Sequence, residues 1–358
     1  MLSGGAQPVI DQGATEPVPP SRGVSVLGMC PAAAHAEPAA RGSSRRERTL
    51  LPRSGRHQTQ QGSFRWAAMT FGWGTSWLVR GYRCVSAHPS AGRPRATPSG
   101  RALWRHHYEV MGTVFSFAFG ARVDCDVIGA VENELDRLDC LFSTYRPDSE
   151  ISALAAGGRT LASCSGDVRE VLALCAEAGE LTGGYFSALH SGRLDPTGLV
   201  KGWAVARAAW LLARAGSTRH VVNGGGDVLA VSDPAVDGKW RVGVSDGSTG
   251  AIFATIAAHN VAVATSGNGE RPGLVVDPFP GRPALALRSV TVIGADIVMA
   301  DAVATAAVAM GERALAWLED LPGYDAVVIA ADGAVTRTRG VSDVLTDSRS
   351  SAAWTDAR

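Results

Sequence analysis

The sequence lacks the patterns that would assign it to several common classes of protein. Its 358 residues contain no stretch of about 18 uncharged apolar residues, which argues against a membrane-spanning helix. Its six cysteines include no Cys-x-x-Cys pair, so neither a zinc site nor a dithiol redox centre is indicated. Neither Gly-x-Gly-x-x-Gly nor Gly-x-x-x-x-Gly-Lys-Ser/Thr occurs, which removes the two common nucleotide-binding fingerprints.

The formal net charge is zero, but the charge is divided unevenly along the chain. Residues 1–103 contain 13 arginines, no lysine and 4 acidic residues, whereas residues 104–358 contain 21 basic and 30 acidic residues. Phosphate backbones recruit basic surfaces, so the acidic second segment argues against a nucleic acid as partner.

Residues 1–103 and 341–358 are predicted to be disordered and flexible, respectively. The first segment holds ten of the 18 prolines and shows no sustained hydrophobic period, so it cannot bury enough apolar surface to offset its chain entropy. Translation from a later start, for example Met69, is an alternative interpretation of this segment. It also lacks the apolar run of a secretory signal, and we therefore expect a cytoplasmic protein.

Residues 104–340 are predicted to form one α+β domain. Hydrophobic periodicity predicts strands at 108–120, 239–246, 251–267 and 287–294, helices at 127–145, 165–182, 198–215 and 299–320, a strand–turn–strand unit at 219–231 and a hairpin at 324–338. The strands and helices do not follow a strict βαβ rhythm, which favours α+β over a doubly wound sheet.

Asp301 and Thr305 are four residues apart in a predicted helix and therefore lie on one face. A carboxylate and a hydroxyl so placed can supply two hard oxygen ligands to Mg²⁺, which completes its shell with water and phosphate. The alternative is an Asp that is favoured near a helix N-terminus and a Thr that bonds back to its own helix. Side-chain pairs at this spacing are common, so the spacing alone favours the alternative.

Three other features point to an anionic ligand, each with an ordinary structural alternative. The glycines of Asn-Gly-Gly-Gly-Asp (223–227) allow main-chain N–H groups to approach an anion, but they also suit a tight hairpin. The Gly- and Pro-rich loop at 264–284 is typical of a binding lid or of an ordinary mobile loop. Lys201 is one of two lysines against 32 arginines. It is either a compact ammonium for phosphate or a surface residue.

Seven segments, taken in order, resemble the FAD:protein FMN transferases, the ApbE-type flavin transferases. They are MGTVFSF (111–117), FSTYRPDSEISAL (142–154), LDPTGLVKGWAVARAA (194–209), VVNGGGDVLA (221–230), AVATSG (262–267), VVDPFPGRPA (275–284) and ADAVATAAVAMG (300–311). Each segment is modest alone, but the ordered set is specific. The resemblance implies an ApbE-like domain with mixed or antiparallel sheets and packed helices.

The resemblance also implies an activity. In that family, FAD binds together with Mg²⁺, the FMN half is transferred to a Ser or Thr hydroxyl of a target flavoprotein, and AMP leaves. Some members instead hydrolyse FAD to FMN and AMP. We therefore expect a transferase whose partners are FAD and an acceptor flavoprotein, with FAD pyrophosphatase activity as an alternative.

The resemblance assigns roles to particular residues of this chain. Asp301, Thr305 and the main-chain carbonyl of Val200 are the implied Mg²⁺ ligands, and Lys201 and Asp277 are the candidate catalytic residues. The candidate FAD contacts are Met111, Tyr145, Thr197, Trp203 and Val275. Asn223 and Asp227 are implied to build the scaffold of the site.

Two departures from the family pattern bear on activity. Leu274 stands where the family has a His before its Asp-Pro, and Ser187 stands where the family has an Asp. If that His deprotonates the acceptor hydroxyl, His259 or Asp277 would have to replace it. The departures motivate a further alternative, a catalytically silent FAD-binding protein.

Overall fold

The structure is a computed structural model that describes residues 95–96, 102–190, 192–245, 252–268, 273–348 and 354–356. Its α-helices are α1 (Cys125–Phe142), α2 (Glu150–Ala155), α3 (Gly166–Leu181), α4 (Thr197–Arg214), α5 (Ile297–Met310), α6 (Ala314–Glu319) and α7 (Val341–Val344). Several of these helices begin where a side chain can bond to one of the first free main-chain N–H groups. The Asp296 side chain, for example, caps α5 by accepting a hydrogen bond from Val298 N at 2.9 Å.

The described strands form one long sheet, one three-stranded sheet and two small hairpins. They are β1 (Arg95–Ala96), β2 (Ala102–Val110), β3 (Thr113–Phe119), β4 (Leu189–His190), β5 (Arg193–Leu194), β6 (His220–Gly224), β7 (Asp227–Val231), β8 (Trp240–Ser245), β9 (Ile252–Ala258), β10 (Val261–Gly267), β11 (Val276–Asp277), β12 (Arg282–Pro283), β13 (Leu287–Gly294), β14 (Asp325–Ala330), β15 (Val335–Arg337), β16 (Leu345–Ser348) and β17 (Trp354–Asp356). The long sheet has the order β1-β2-β3-β6-β7-β10-β13-β14-β15-β17, and the three-stranded sheet has the order β16-β9-β8. β4 pairs with β5, and β11 pairs with β12. All pairings are antiparallel except that of β15 with β17.

The long sheet separates two hydrophobic clusters, because alternate side chains of a strand point to opposite faces. On β10, Ala262 and Ala264 belong to the cluster that contains the apolar residues of α1, α3, α4 and α5. Val261 and Val263 belong to the second cluster, together with apolar residues of β8 and β9. The described part of the chain is therefore layered as helices, long sheet and small sheet, which confirms the α+β prediction.

α5 is the most deeply buried helix next to the sheet. Each of its residues is buried except Thr305, and Asp301 is its only charged residue. A helix that is apolar on all sides belongs in a protein core. Asp301 is therefore an exception that needs a partner, because a buried carboxylate without one is costly.

Three elements differ from their predictions. The strand predicted at 108–120 is the hairpin of β2 and β3, which turns at Met111 (φ 56°) and Gly112 (φ 68°). The helix predicted at 299–320 is broken at Gly311 (φ 63°), where a left-handed backbone ends α5 before a 3₁₀ turn and α6. The segment predicted as a flexible tail contains α7 and β16, and β16 pairs with β9.

The remaining predicted elements form close to their expected bounds, with one division. The segment at 251–267 forms β9 in the small sheet and β10 in the long sheet. The predicted disordered segment, residues 1–103, lies almost entirely outside the described residues. Among the residues that are described, no helix combines the length and apolar character needed to cross a membrane.

Candidate functional site

Four chain segments, three of them from the predicted site, lie at one end of the central strands of the long sheet. The register places there the β2–β3 turn, the Gly225-Gly226 turn between β6 and β7, the end of β10 and the start of β13. Phe115 pairs with Gly224, Val263 pairs with Val228, and Gly267 pairs with Ser289. The first two turns also touch, because Gly225 N donates to Val114 O at 3.3 Å.

α4 begins at the same site, and an acidic side chain holds its first turn. Thr197 N and Thr197 Oγ1 both donate to Asp195 Oδ1, at 3.0 and 2.6 Å. Thr197 is exposed, and Gly198 lies close to Thr305 of α5. The predicted FAD contact Thr197 is therefore on an accessible helix N-terminus, a position where N–H groups favour anions.

α4 and α5 approach most closely at Gly202. A Cβ atom at this position would lie 2.7 Å from Ile297 O and 3.0 Å from Asp301 Cβ. Since glycine has no Cβ, the main chain of α4 comes close enough for Gly202 N to donate to Asp301 Oδ2 at 3.0 Å. Gly202 thus sets the position of the Asp301 carboxylate.

Lys201 lies between two buried carboxylates. Its Nζ donates to Asp227 Oδ2, and it lies 3.5 Å from Asp301 Oδ1. The side chains of Asp227 and Asp301 are 0% and 2% exposed, whereas that of Lys201 is 29% exposed. Asp227 Oδ1 accepts from Thr265 N at 3.2 Å, which ties the glycine turn to the end of β10.

Burial raises the pKa of Asp301 above its ordinary value, because it penalises the charged form. The nearby Lys201 ammonium and the hydrogen bond from Gly202 N act in the opposite direction without cancelling that effect. The carboxylate therefore gains from any further positive charge that binds beside it.

The oxygen donors at this site suit Mg²⁺. The Thr305 hydroxyl is one turn along α5 from Asp301, and its Oγ1 lies 3.0 Å from Ser266 Oγ. The described residues contain no group of three or more His, Cys, Asp or Glu side chains that could hold a metal ion. A carboxylate, a hydroxyl and a main-chain carbonyl are nevertheless hard oxygen ligands, and Mg²⁺ commonly takes few protein ligands beside phosphate and water. The donor set fits Mg²⁺, with Val200, which is buried in α4, as the predicted third ligand.

Three further predicted FAD contacts are at least partly accessible. Met111 is half-buried in the β2–β3 turn, and Val275 is half-buried just before β11. Tyr145, in the loop after α1, is 93% exposed, so its ring is free to contact a ligand. These three side chains stay predictions as FAD contacts.

Trp203 lies in the core, and its role as an FAD contact stays a prediction. Its side chain is buried between helices, where the ring packs edge-on against Phe142 with 5.6 Å between centroids. Its Nε1 donates to Glu170 Oε1 at 3.3 Å. Lys201 and Trp203 are about 200° apart around α4, because each residue advances the helix by about 100°. Trp203 therefore faces the core instead of the Lys201 side of the helix.

Asp277 lies apart from Lys201, Asp227 and Asp301, which together form the Lys201 cluster. Across the described ranges it makes no hydrogen bond or ion pair with Lys201, Asp301 or Thr305, and its Oδ1 accepts from Phe279 N at 3.1 Å. It borders a cavity of about 360 Å³ between the β11–β12 hairpin and the end of α5, which Ala309, Arg282 and Arg313 also line. Ala309 is four residues after Thr305, which places it about 6 Å further along the axis of α5.

Two further residues help to hold the β11–β12 hairpin and α5 at the site. Asn268 Nδ2 donates to Ala284 O and Leu287 O at 2.6 and 3.0 Å, which anchors the hairpin close to Ser266. Ser266 itself bonds to Thr305. Ser266 lies in the AVATSG segment of the resemblance, and Asn268 lies in the Gly- and Pro-rich loop at 264–284, but neither residue was predicted individually.

The fold and the site together define an α+β protein in which a carboxylate, a hydroxyl and a lysine lie together at one end of the central strands of an antiparallel sheet. This chain belongs to the ApbE family, whose model matches residues 111–190 and 187–328. The chain is also similar to an FAD:protein FMN transferase of Treponema pallidum, with 29% identity over 171 residues. That match covers 42% of this chain and 47% of the relative, so the chain matches about half of the relative's length.

Two solved structures share the fold of this chain. The ApbE protein of Thermotoga maritima superposes with a TM-score of 0.61 and 21% identity, over 68% of this chain and 100% of that one. The flavin transferase ApbE of Vibrio cholerae superposes with a TM-score of 0.57 and 20% identity, over 68% of this chain and 99% of that one. At such identities the likeness concerns the fold, and it confirms the ApbE-like fold expected from the sequence.

Proposed function

We propose that this protein transfers FMN from FAD to a Ser or Thr hydroxyl of a target flavoprotein in a Mg²⁺-dependent reaction that releases AMP. The observation that carries the proposal is that Asp301, Thr305 and Lys201 lie together at one end of the central strands, within segments that match the family. The names of the relatives, an FAD:protein FMN transferase and a flavin transferase, point to the same chemistry.

The reaction exchanges one phosphorus–oxygen bond for another. The acceptor oxygen attacks the phosphorus of the FMN half, the bond to the AMP phosphate breaks, and AMP takes the electron pair while the hydroxyl proton passes to a base. Asp301, Thr305 and the Val200 carbonyl would hold Mg²⁺, which supplies charge neutralisation at the pyrophosphate oxygens. The Lys201 ammonium, fixed by Asp227, adds positive charge at the same place.

The acceptor hydroxyl must pass its proton to a base. Of the two sequence candidates, Asp277 is on the hairpin that Asn268 holds next to Ser266. His259 is a poor substitute, because its Nδ1 lies 3.3 Å from Ser232 Oγ, on the loop between β9 and β10 at the far end of β10. We therefore assign Asp277 as the candidate base for the acceptor hydroxyl.

Release of AMP and the mass of the acceptor test the proposal together. Purified protein incubated with FAD, Mg²⁺ and a candidate acceptor should release AMP and add one FMN to the acceptor. AMP release at the same rate without an acceptor would identify an FAD pyrophosphatase instead. Failure to release AMP with several acceptors, despite FAD binding, would contradict both activities.

A cytoplasmic location also stays a proposal, which cell fractionation tests.

Leu274 motivates the silent FAD-binding alternative, and it offers a direct prediction. Leu274 is 68% exposed beside the β11–β12 hairpin, so a His can replace it without a packing cost. If the wild-type protein binds FAD without turnover, Leu274→His is expected to raise AMP release by about 100-fold or more, since a positioned base contributes that much. Leu285→His, at another exposed Leu near the hairpin, is the matched control and should change nothing. Equal rates in both variants would rule out a missing base at 274.

A further inference from the structure

The Lys201 cluster has an unbalanced charge. It contains two carboxylates that are almost fully buried, Asp227 and Asp301, and a single ammonium group that reaches both. With all three groups ionised, the cluster carries a net charge of −1. Removing such groups from water is costly unless opposite charges compensate them, so the imbalance leaves room for one more cation.

The Lys201 ammonium is closer to the carboxylate of Asp227 than to that of Asp301. Its ammonium contacts Asp227 Oδ2 directly, whereas Asp301 Oδ1 is 3.5 Å away, at the outer limit of a hydrogen bond. The other oxygens are already used, because Asp227 Oδ1 accepts from Thr265 N and Asp301 Oδ2 accepts from Gly202 N. Asp301 Oδ1 is thus the least satisfied oxygen of the cluster.

The position of Asp227 in the fold keeps Lys201 closer to Asp227 than to Asp301. It opens β7 directly after the glycine turn, it is fully buried, and its bond to Thr265 N connects it to β10. Its carboxylate therefore cannot follow Lys201 if the lysine moves. Lys201, on a flexible four-carbon stem, is the mobile partner of the pair.

We propose that Asp227 is a positioning residue that holds Lys201 away from Asp301, which keeps Asp301 Oδ1 open to a divalent cation. The inference rests on the Mg²⁺ site of the proposed function and adds a role for Asp227 in forming it. Without the Asp227 charge, Lys201 pairs with Asp301 and competes with the cation for its oxygen. Without Lys201, two buried carboxylates repel each other, and a cation relieves that repulsion.

Two variants should move Mg²⁺ affinity in opposite directions. Asp227→Asn retains an oxygen for Thr265 N and is expected to bind Mg²⁺ about tenfold more weakly than wild type, as measured by calorimetric titration without FAD. Lys201→Met is expected to melt at a lower temperature without Mg²⁺ and to gain more from added Mg²⁺ than wild type does. Lys239→Met, at the only other lysine, and Asp343→Asn, at an exposed aspartate, are the matched controls. Both controls should behave like wild type.

The two lysines also permit a direct observation of Lys201. Protein labelled with ¹³C at lysine Cε should give two side-chain NMR signals, of which only the Lys201 signal shifts on addition of Mg²⁺ or in Asp227→Asn. If wild type binds no Mg²⁺, the metal site of the proposed function is wrong. If wild type binds Mg²⁺ and Asp227→Asn binds it equally well, with the Lys201 signal unmoved, the role of Asp227 is wrong and the proposed function stands. Should Lys201→Met fail to fold, the affinity of Asp227→Asn and the Lys201 signal decide the question.

Discussion

Asp301→Asn is expected to reduce Mg²⁺-dependent FAD turnover by about a thousandfold or more, because it removes the only carboxylate among the proposed ligands. The measurement is AMP release with saturating FAD and acceptor over a series of Mg²⁺ concentrations. Excess Mg²⁺ should not restore the rate, since the neutral amide oxygen is a much weaker ligand than a carboxylate.

The same change is expected to leave the metal-free fold intact. Asn can still accept the bond from Gly202 N, which now reaches Asp301 Oδ2 at 3.0 Å. Lys201 keeps its contact with Asp227, so no buried charge loses its only partner. Burial penalises the charged form of Asp301, so its removal should not lower the free energy of unfolding at neutral pH. Thermal denaturation without Mg²⁺ checks this, and a large drop would mean that Asp301 acts chiefly as a structural ion-pair partner.

The pH dependence of Mg²⁺ binding provides a control on the mechanism. The folded-state pKa of Asp301 is raised, so protons compete with Mg²⁺ at a higher pH than they do at an exposed Asp. The Mg²⁺ affinity of wild type should therefore decrease as the pH falls through that raised pKa. Asp301→Asn should show no such dependence, and an equal slope in both proteins would assign the titration to another group.

The local patterns of the sequence predicted the helix that carries Asp301 and Thr305 but not its surroundings. The i, i+4 spacing correctly placed Asp301 and Thr305 on one helix, which is α5. Because α5 is apolar on every side, no amphipathic stripe could indicate which of its faces meets α4 and which meets β10. That information comes from the packing of distant segments. The order of family segments supplied it only as a resemblance.

Two features of the structure that local patterns did not reveal have physical causes in the sequence. The strand pattern at 108–120 continues through the β2–β3 turn because a two-residue turn interrupts few side chains, and Met111 is an unusual residue for a left-handed backbone. Trp203 was assigned by its place in a segment, but two residues of helix turn it away from Lys201. The burial of the Trp203 side chain could be recognised only once α1 and α3 were in place.

Two glycines inside helices show that a sequence signal needs the structure before it reports on a tertiary contact. A helical glycine lowers stability by about 1 kcal/mol relative to alanine. A close approach of another main chain, which a Cβ atom would prevent, is one reason for a helix to contain it. α1 and α4 each contain such a glycine, at Gly129 and Gly202. A Cβ at Gly129 would meet nothing within 4 Å, whereas one at Gly202 would meet the main chain of α5. The same substitution should therefore have opposite effects at the two positions.

Gly202→Ala is expected to lower the free energy of unfolding by about 1–3 kcal/mol, although alanine is the better helix former. The atom that its Cβ would meet at 2.7 Å is the main-chain oxygen of Ile297, which cannot rotate away as a flexible side chain could. α4 and α5 must separate, so the bond from Gly202 N to Asp301 lengthens and Mg²⁺ affinity should fall with stability. Gly129→Ala is the matched control and should raise the free energy of unfolding by about 0.5–1 kcal/mol. Denaturant titration of both variants checks the signs, and a stabilised Gly202→Ala would show that the helices do not cross as closely as described.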